Sequence, residues 1–499
     1  MPYAAATRHH AEPDLGASGD IHVSTVPRPR SIRSSSMTTS QAPAIHEPLP
    51  PDPRTAPSRH WRGRLAALVD WLLVACAGAV LYFGQTHTVY GDAVWRRISL
   101  VDLLKNHTLD RHPYSLVGPI FSAPLWEIDP KLIAYYNCIV AAVAFTCAWL
   151  LLRGRTERVV ARHFILLCLA ASMIAPALGS YYGEMFTVAG QGVGLLAVVR
   201  RGDTRRDKLI RAAGWVAVVL GTANTPASLP ALALVTLAWA WRNRRLRYGF
   251  AAAAAALMIW GEAWLRRGSP FDSGYEVFHL PNNTPMPYVG VGGFSYPFFF
   301  GFISIIFSFG KGIVWFIPGL VLPARRRLAQ FGAELGEAYR LWMFLVAGLV
   351  VLYSSWWAWH GAWFWGPRFF LAGILPAAAA LAACLADRAA RPLVNLATLG
   401  VLALSCWVGA NSLMWGHDLP KLCQDNEYQL EHMCHYTPEY SSLWWPLVHH
   451  LPLPRHGVLI AGFYLVVFLR LGVPVAGRLL RQAREWAASG AIELRAWRI

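Results

Sequence analysis

The chain has 499 residues, 55% of them hydrophobic and only 15% charged, with 23 tryptophans. Average soluble domains are about 45–50% apolar and about 25% charged, so this balance argues against an ordinary soluble fold. The net charge of +17 does not indicate nucleic acid: no aromatic-interleaved basic domain appears, and the arginines cluster between apolar runs, as in cytoplasmic loops of membrane proteins.

Residues 1 to about 60 are rich in Pro, Ser, Thr, Arg and His without apolar periodicity, which predicts a disordered cytoplasmic tail. Met37 is a second candidate start. No signal peptide is expected, because the first apolar run comes late and lacks a small-residue cleavage site. Residues 61–475 read as a transmembrane domain. Its first span, Leu65 to Phe83, follows Arg62 and Arg64, so the amino terminus is expected in the cytoplasm. The span leads into an outer loop, residues 86–131. Asp92 stands just past the exit. Behind it Val94, Trp95, Ile98, Val101 and Leu104 fall at helical spacing, interleaved with Arg96, Arg97, Asp102 and Lys105. That pattern predicts a short helix lying in the headgroup plane.

A second span, Leu132 to Leu152, returns to RGRTERVVAR. A third, Phe164 to Gly179, leads to the turn SYYGE, and a fourth, Met185 to Val199, to RRGDTRRDKLIR. The run Ala212 to Trp241 is flanked by basic clusters on both sides. Its break at Ala223-Asn224-Thr225-Pro226 predicts two short helices that turn near the outer face, since broken backbone at membrane depth is tolerated where protein buries it. Tyr248 to Trp264 goes out to a Pro/Gly/Asn-rich loop. Pro297 to Leu322 returns, interrupted at Phe309-Gly310-Lys311-Gly312. Leu341 to Tyr353, Phe369 to Leu385 and Leu393 to Ala410 follow, then an outer loop, residues 411–456. A last span, Val458 to Val475, precedes a basic cytoplasmic tail, residues 476–499. The expected fold class is all-α, a polytopic transmembrane helical bundle of about twelve crossings. No internal repeat is visible, which argues against transporter folds built from repeated halves.

Four features collect on the expected outer side. Asp92 is either a carboxylate able to take a proton from a hydroxyl or a solvated acid at a helix end. Glu184, in SYYGE, either orients a hydroxyl or caps the next helix, whose amino terminus favours an acid. Lys311 lies between glycines in an apolar run, where a cation is costly unless it snorkels or is paired. A lipid phosphate would pair it, and Gly310 and Gly312 would allow close backbone approach. The stretch Trp356 to Phe370 is either an aromatic belt with a snorkelling arginine or a site. In the second case the fork of Arg368 holds phosphate, with aromatic faces to stack on a ring and His360 beside them.

Of eight cysteines, Cys76, Cys138, Cys147, Cys168, Cys384 and Cys406 lie in apolar runs and read as packing residues. Cys423 and Cys434 share the polar outer loop KLCQDNEYQLEHMCHY. A disulfide between them suits an oxidising compartment; the alternative is free or metal-binding thiols beside His432 and His435. NHT (Asn106 to Thr108) and NNT (Asn282 to Thr284) match glycosylation acceptors. No metal-ligand spacing, phosphate-binding glycine loop or nucleophile elbow appears, so no cofactor is expected, and a divalent metal is left open but not indicated.

SFGKGIVWFIPGL resembles a segment SPGKGLFWYSP, and WWAWHGAWFWGPRFFLAGILP resembles WWGGWSWGPRYLLPALP. Both occur in bacterial membrane proteins related to the GT-C glycosyltransferases, a superfamily that includes protein O-mannosyltransferases and lipid A aminoarabinose transferases. The resemblance covers roughly residues 65 to 410 in order of features. It implies a polyprenyl-phosphate-linked sugar donor, inverting transfer at the outer face of the bacterial cytoplasmic membrane, and a catalytic acid in the first outer loop, which by position is Asp92. Glu184 matches an acid between the third and fourth spans. The chain departs from the pattern in having Phe before Gly-Lys-Gly, Asn224-Thr225-Pro226 where Arg-Pro is common, and one acid instead of a pair after the first span.

The expectation is therefore a glycosyltransferase acting on a lipid, glycan or protein acceptor. Asp92 is the base, Lys311 and Arg368 hold the donor phosphate, and Glu184 and His360 contact sugar or acceptor. The rivals are a transporter or flippase of a lipid-linked saccharide and a non-catalytic assembly partner. A transporter should carry its ionisable groups near the midplane, whereas here they gather at one face.

Overall fold

The computed structural model describes residues 57–275, 293–362, 364–416, 423 and 430–496. The expected amino-terminal tail, the NNT acceptor and much of the last outer loop lie outside the described residues. Among the described residues all regular structure is helical. Seven helices are long and apolar enough to cross a membrane: Gly63–Phe83, Pro130–Leu152, Leu246–Arg267, Ala333–Tyr353, Arg368–Ala386, Pro392–Met414 and Gly457–Ala488.

In chain order the helices used below are α1 (Pro57–Phe83), α2 (Asp92–Val101), α3 (Tyr136–Leu152), α4 (Arg158–Ala170), α5 (Glu184–Val198), α6 (Arg205–Asn224), α7 (Leu229–Asn243), α8 (Gly249–Arg267), α9 (Phe298–Phe307), α10 (Ala333–Tyr353), α11 (Ile374–Ala386), α12 (Pro392–Met414), α13 (Glu431–Tyr436) and α14 (Gly457–Ala496).

The expected third span differs from the structure. Helix α4 has 13 residues, about 20 Å at about 1.5 Å per residue, against a hydrocarbon core of about 30 Å. Every residue from Val160 to Cys168 is buried. Its apolarity fills the protein core, so periodicity alone could not separate it from a lipid-facing helix. Helix α5, the expected fourth span, is also short and packs tightly on α6. A Cβ on Gly190 would stand 2.7 Å from Gly221 Cα, and one on Gly194 would stand 2.8 Å from the Gly214 carbonyl oxygen. Only small residues allow backbones this close.

Helices α6 and α7 form a hairpin. The rings of Trp215 and Trp239 lie 5.8 and 6.1 Å from that of Tyr248, whereas a continuous helix would hold the two tryptophans about 36 Å apart. The turn is closed by the buried Asn224. Its amide donates to the Gly183 carbonyl (2.8 Å) and Thr187 Oγ1 (3.0 Å), and its oxygen accepts from the Gly118 N–H (3.0 Å). At the opposite end of the hairpin, Arg200 pairs with Asp207 (2.6 Å), Arg155 with Asp207 (3.3 Å) and Glu334, and Arg242 with Glu337 (2.8 Å). The basic loops and both ends of the hairpin therefore share one end of the bundle.

The first and last helices are tied through Asp70 of α1. Its carboxylate is fully buried and meets Arg162 of α4 at 2.9 Å and Arg470 of α14 at 2.7 Å. An acid inside an apolar helix is expensive unless paired. Helix α14 continues to Ala496, into the segment read as a tail.

Candidate functional site

Around the Asn224 turn, three distant segments converge. Gly91, with φ +58°, turns the chain into α2 and leaves Asp92 at the helix start. Arg368 Nη2 lies 2.7 Å from Asp92 Oδ2, and its Nη1 lies 3.6 Å from Glu184 Oε1. The side chains of Arg368, Glu184 and Asp92 are 10%, 18% and 29% exposed, so the acids sit at an opening and the arginine behind them.

Each partner is fixed by a local device. The SYYGE turn hangs from Asn137, whose amide nitrogen lies 2.8 Å from the carbonyl oxygens of Ala177, Ser180 and Tyr182. That seats Glu184 in the first turn of α5. The guanidinium of Arg368 is bordered by the rings of Phe369, Tyr182 and Phe364 at 5.2–5.7 Å, which suits a cation against aromatic faces. Among the described residues its Nε–H has no hydrogen-bond partner.

Helix α2 carries an arginine on the face it buries. Ala93, Arg96, Ser99 and Leu100 are buried, while Val94, Trp95, Ile98, Val101 and Leu104 are half-buried. The reason is that Arg96 finds partners inside. It reaches the Ser115 carbonyl and Asn224 Oδ1 at 3.4 Å and lies over the Tyr114 ring. A helix can turn an arginine inward when its donors are met.

The loop before Leu116 is clamped by the end of α8. Glu262 accepts from Ser115 Oγ and the Leu116 N–H, both at 2.7 Å. Arg266 donates to the Tyr114 carbonyl at 2.6 Å and pairs with Glu262 (2.8 Å) and Asp110. The Tyr114 hydroxyl then hydrogen-bonds the Asp92 carboxylate. Sequence reasoning missed this clamp. Its signal was Arg266-Arg267 at a helix end assigned to the outer face, against the basic-inside pattern.

Burial raises the Asp92 carboxyl, but the Arg368 charge and the hydrogen bonds from Tyr114 and Arg368 outweigh it, and the pKa falls below its ordinary value. Burial also pushes the phenols of Tyr114 and Tyr182 upward, and Asp92 adds to both. They are therefore neutral hydrogen-bond donors.

Lys311 and His360 occupy other positions. The buried Lys311 ammonium donates to the carbonyl oxygens of Ala362 (2.9 Å), Gly366 (3.2 Å) and Phe364. These carbonyls meet its three donors, so it clasps the loop before Arg368 in place of presenting itself to a phosphate. The close approach at Gly310 is also a chain–chain contact. Its N–H donates to the His435 carbonyl (3.0 Å), and a Cβ there would stand 3.1 Å from His435 Cα.

His360 faces Glu431 at 3.3 Å, and His435 faces the same carboxylate at 3.5 Å. Burial pushes His360 down to about 3 and His435 well below its ordinary value, so both rings are neutral. Cys434 of α13 is disulfide-bonded to Cys423, with the two Cα atoms 6.1 Å apart. Of the residues singled out in the sequence, Asp92, Glu184 and Arg368 thus meet, Lys311 supports their loop, and His360 belongs to a neighbouring cluster. Comparison with family models, curated proteins and solved structures finds no match.

Proposed function

We propose that the chain is a membrane glycosyltransferase of the GT-C type, with about twelve crossings and a cytoplasmic amino terminus. It moves a sugar from a polyprenyl-phosphate donor to a lipid, glycan or protein acceptor at the outer face of the cytoplasmic membrane. The observation that carries this reading is the meeting of Asp92, Glu184 and Arg368 at a partly open site.

In the resting site Arg368 is held by the two acids. A donor phosphate competes for its fork, aided by the Nε–H that has no partner among the described residues, because a charge-assisted bidentate contact to phosphate is strong. As Arg368 turns to phosphate, Asp92 loses the charge that depresses its pKa and becomes a better proton acceptor. The acceptor hydroxyl gives its proton to Asp92, and its oxygen attacks the anomeric carbon from the face opposite the phosphate. The bond from that carbon to the phosphate oxygen breaks, and polyprenyl phosphate leaves with the electron pair. Inversion follows from the single displacement. Glu184 orients a sugar hydroxyl, and Tyr182, Phe364 and Phe369 supply faces for the ring. Lys311 serves as a positioning residue by holding the loop ahead of Arg368.

The test is transfer from a radiolabelled polyprenyl-phosphate sugar pool to membrane extract by the purified chain. Transfer that depends on Asp92 supports the reading. Translocation of lipid-linked saccharide without any transfer would replace it with a transporter.

A further inference from the structure

Beside this site, three buried side chains meet that sugar transfer does not use. His360, in the loop before Arg368, is 5% exposed, and Glu431 and His435 of α13 are each 3% exposed. His360 Nδ1 lies 3.3 Å and His435 Nε2 lies 3.5 Å from the same Glu431 Oε1. One ligand atom from each of the three residues lies within 4.8 Å of the other two.

Both separations are longer than an ordinary N–H···O hydrogen bond, and among the described residues none of the four buried ring nitrogens has a hydrogen-bond partner. A neutral imidazole keeps one ring nitrogen lone pair free to bind a metal ion. A tetrahedral zinc ion held at about 2.0–2.1 Å keeps its ligand atoms about 3.3–3.4 Å apart, close to the 3.3 and 3.5 Å separations from Glu431 Oε1. Glu431 and His435 are four apart on α13, so they share one helix face, and His360 closes the set from another segment.

We infer that His360, Glu431 and His435 form a binding site for a divalent transition metal of the zinc class. Two imidazoles and a carboxylate are a donor set zinc accepts, with a fourth position left for water. Cys434, next to His435, is tied in its disulfide and is not a ligand. Lys311 and Arg368 act on His360, and Lys311 and His432 on His435. The two cations oppose a metal ion, but Lys311 is directed to its three carbonyls and Glu431 brings the compensating charge. The ion would pin α13 to the loop ahead of Arg368, and the inference stands whether or not the chain transfers a sugar.

The test uses the full-length oxidised protein in detergent, titrated with zinc chloride after chelator treatment. Zinc is quantified by mass spectrometry, and cobalt(II) serves as a visible-absorption probe. The wild type and His432→Ala should bind one ion per chain and show tetrahedral cobalt bands. His435→Gln and Glu431→Gln should bind more than about 100-fold more weakly, since even outer-shell losses cost about 10–100-fold. Elution as a single species with the disulfide intact identifies folded variants. If a variant fails to fold, the wild-type cobalt spectrum decides: tetrahedral bands with nitrogen ligands support the site, and octahedral or absent bands overturn it. Equal zinc affinity in wild type and folded His435→Gln would also overturn it.

Discussion

Arg368 Nη2 stands 2.7 Å from Asp92 Oδ2, so the residue suited to hold an anionic donor is already engaged by the residue suited to act as base. The two roles are coupled: the arginine cannot take up a phosphate without changing the charge seen by the aspartate. Binding and activation then belong to one exchange of partners.

Asp92→Asn should abolish transfer while the chain still folds and binds donor, because the shape is kept and the proton acceptor removed. General base catalysis contributes about 10²–10⁴-fold, and the loss should be at least of that order. Radiolabel transfer and donor binding measured on one preparation separate the two effects. Full transfer by folded Asp92→Asn would end the case for this residue.

Arg368→Ala should weaken donor binding and also lower thermal stability, since it removes the cation that pairs with Asp92 and lies beside Glu184. Arg368→Lys should restore little, because one ammonium cannot serve both acids in the geometry of a fork. A double-mutant cycle with Asp92→Asn should give a coupling of about 0.5–3 kcal/mol. Strict additivity of the two melting shifts would show that the pair is not coupled.

The depressed pKa of Asp92 carries a pH signature. A carboxyl lowered on folding contributes stability in full above its ordinary value of about 3.9 and loses that contribution as pH falls through the lower folded value. The melting temperature of the wild type should therefore exceed that of Asp92→Asn most clearly near neutral pH, and the gap should close in strong acid. A gap that does not change between pH 7 and about pH 3 would contradict the linkage.

Gly310→Ala should destabilise the region joining SFGKG to α13. The added carbon would stand 3.0 Å from the Cys434 carbonyl carbon and 3.1 Å from His435 Cα, and backbone cannot swing aside as a side-chain tip can. Overpacking of this kind costs about 1–3 kcal/mol. Thermal unfolding, with the Cys423–Cys434 bond scored by mass, reads the effect. A variant as stable as wild type would mean that α13 shifts freely.

Reporter fusions after Asp203 and after Arg245 should give the same compartment, because the hairpin of α6 and α7 returns the chain to the end from which it started. A fusion after Asp272 should report the other side. Opposite signals at 203 and 245 would make α6 and α7 a single crossing and reverse every later helix.

The sequence made some of this legible and hid the rest for identifiable reasons. The hairpin was readable because two basic clusters flanked one apolar run with an Asn-Thr-Pro break. Asp92 and Arg368 each stood out alone, as an acid past a span and an arginine after Gly-Pro. Their contact joins segments far apart in the chain, and no local pattern encodes it. The inward turn of Arg96 was not legible, because hydrophobic spacing treats arginine as solvent-facing, whereas Asn224 and the Ser115 carbonyl receive it inside. Glu431 and His435 did leave a trace, an acid and a histidine four residues apart. Their third partner, His360, was singled out among the tryptophans, but no local pattern joins it to a helix some seventy residues on.

Asp70 gives the polypeptide an order of completion. Emerging first from the ribosome, α1 carries a carboxylate whose earliest partner, Arg162, arrives with α4, while Arg470 arrives only when the last helix is made. Until then the opening helix holds an acid that is only half answered, and the first part of the protein to be synthesised is among the last to become settled. A chain released before α14 should therefore fail at its beginning as well as its end, and be recognised by membrane quality-control proteases through α1.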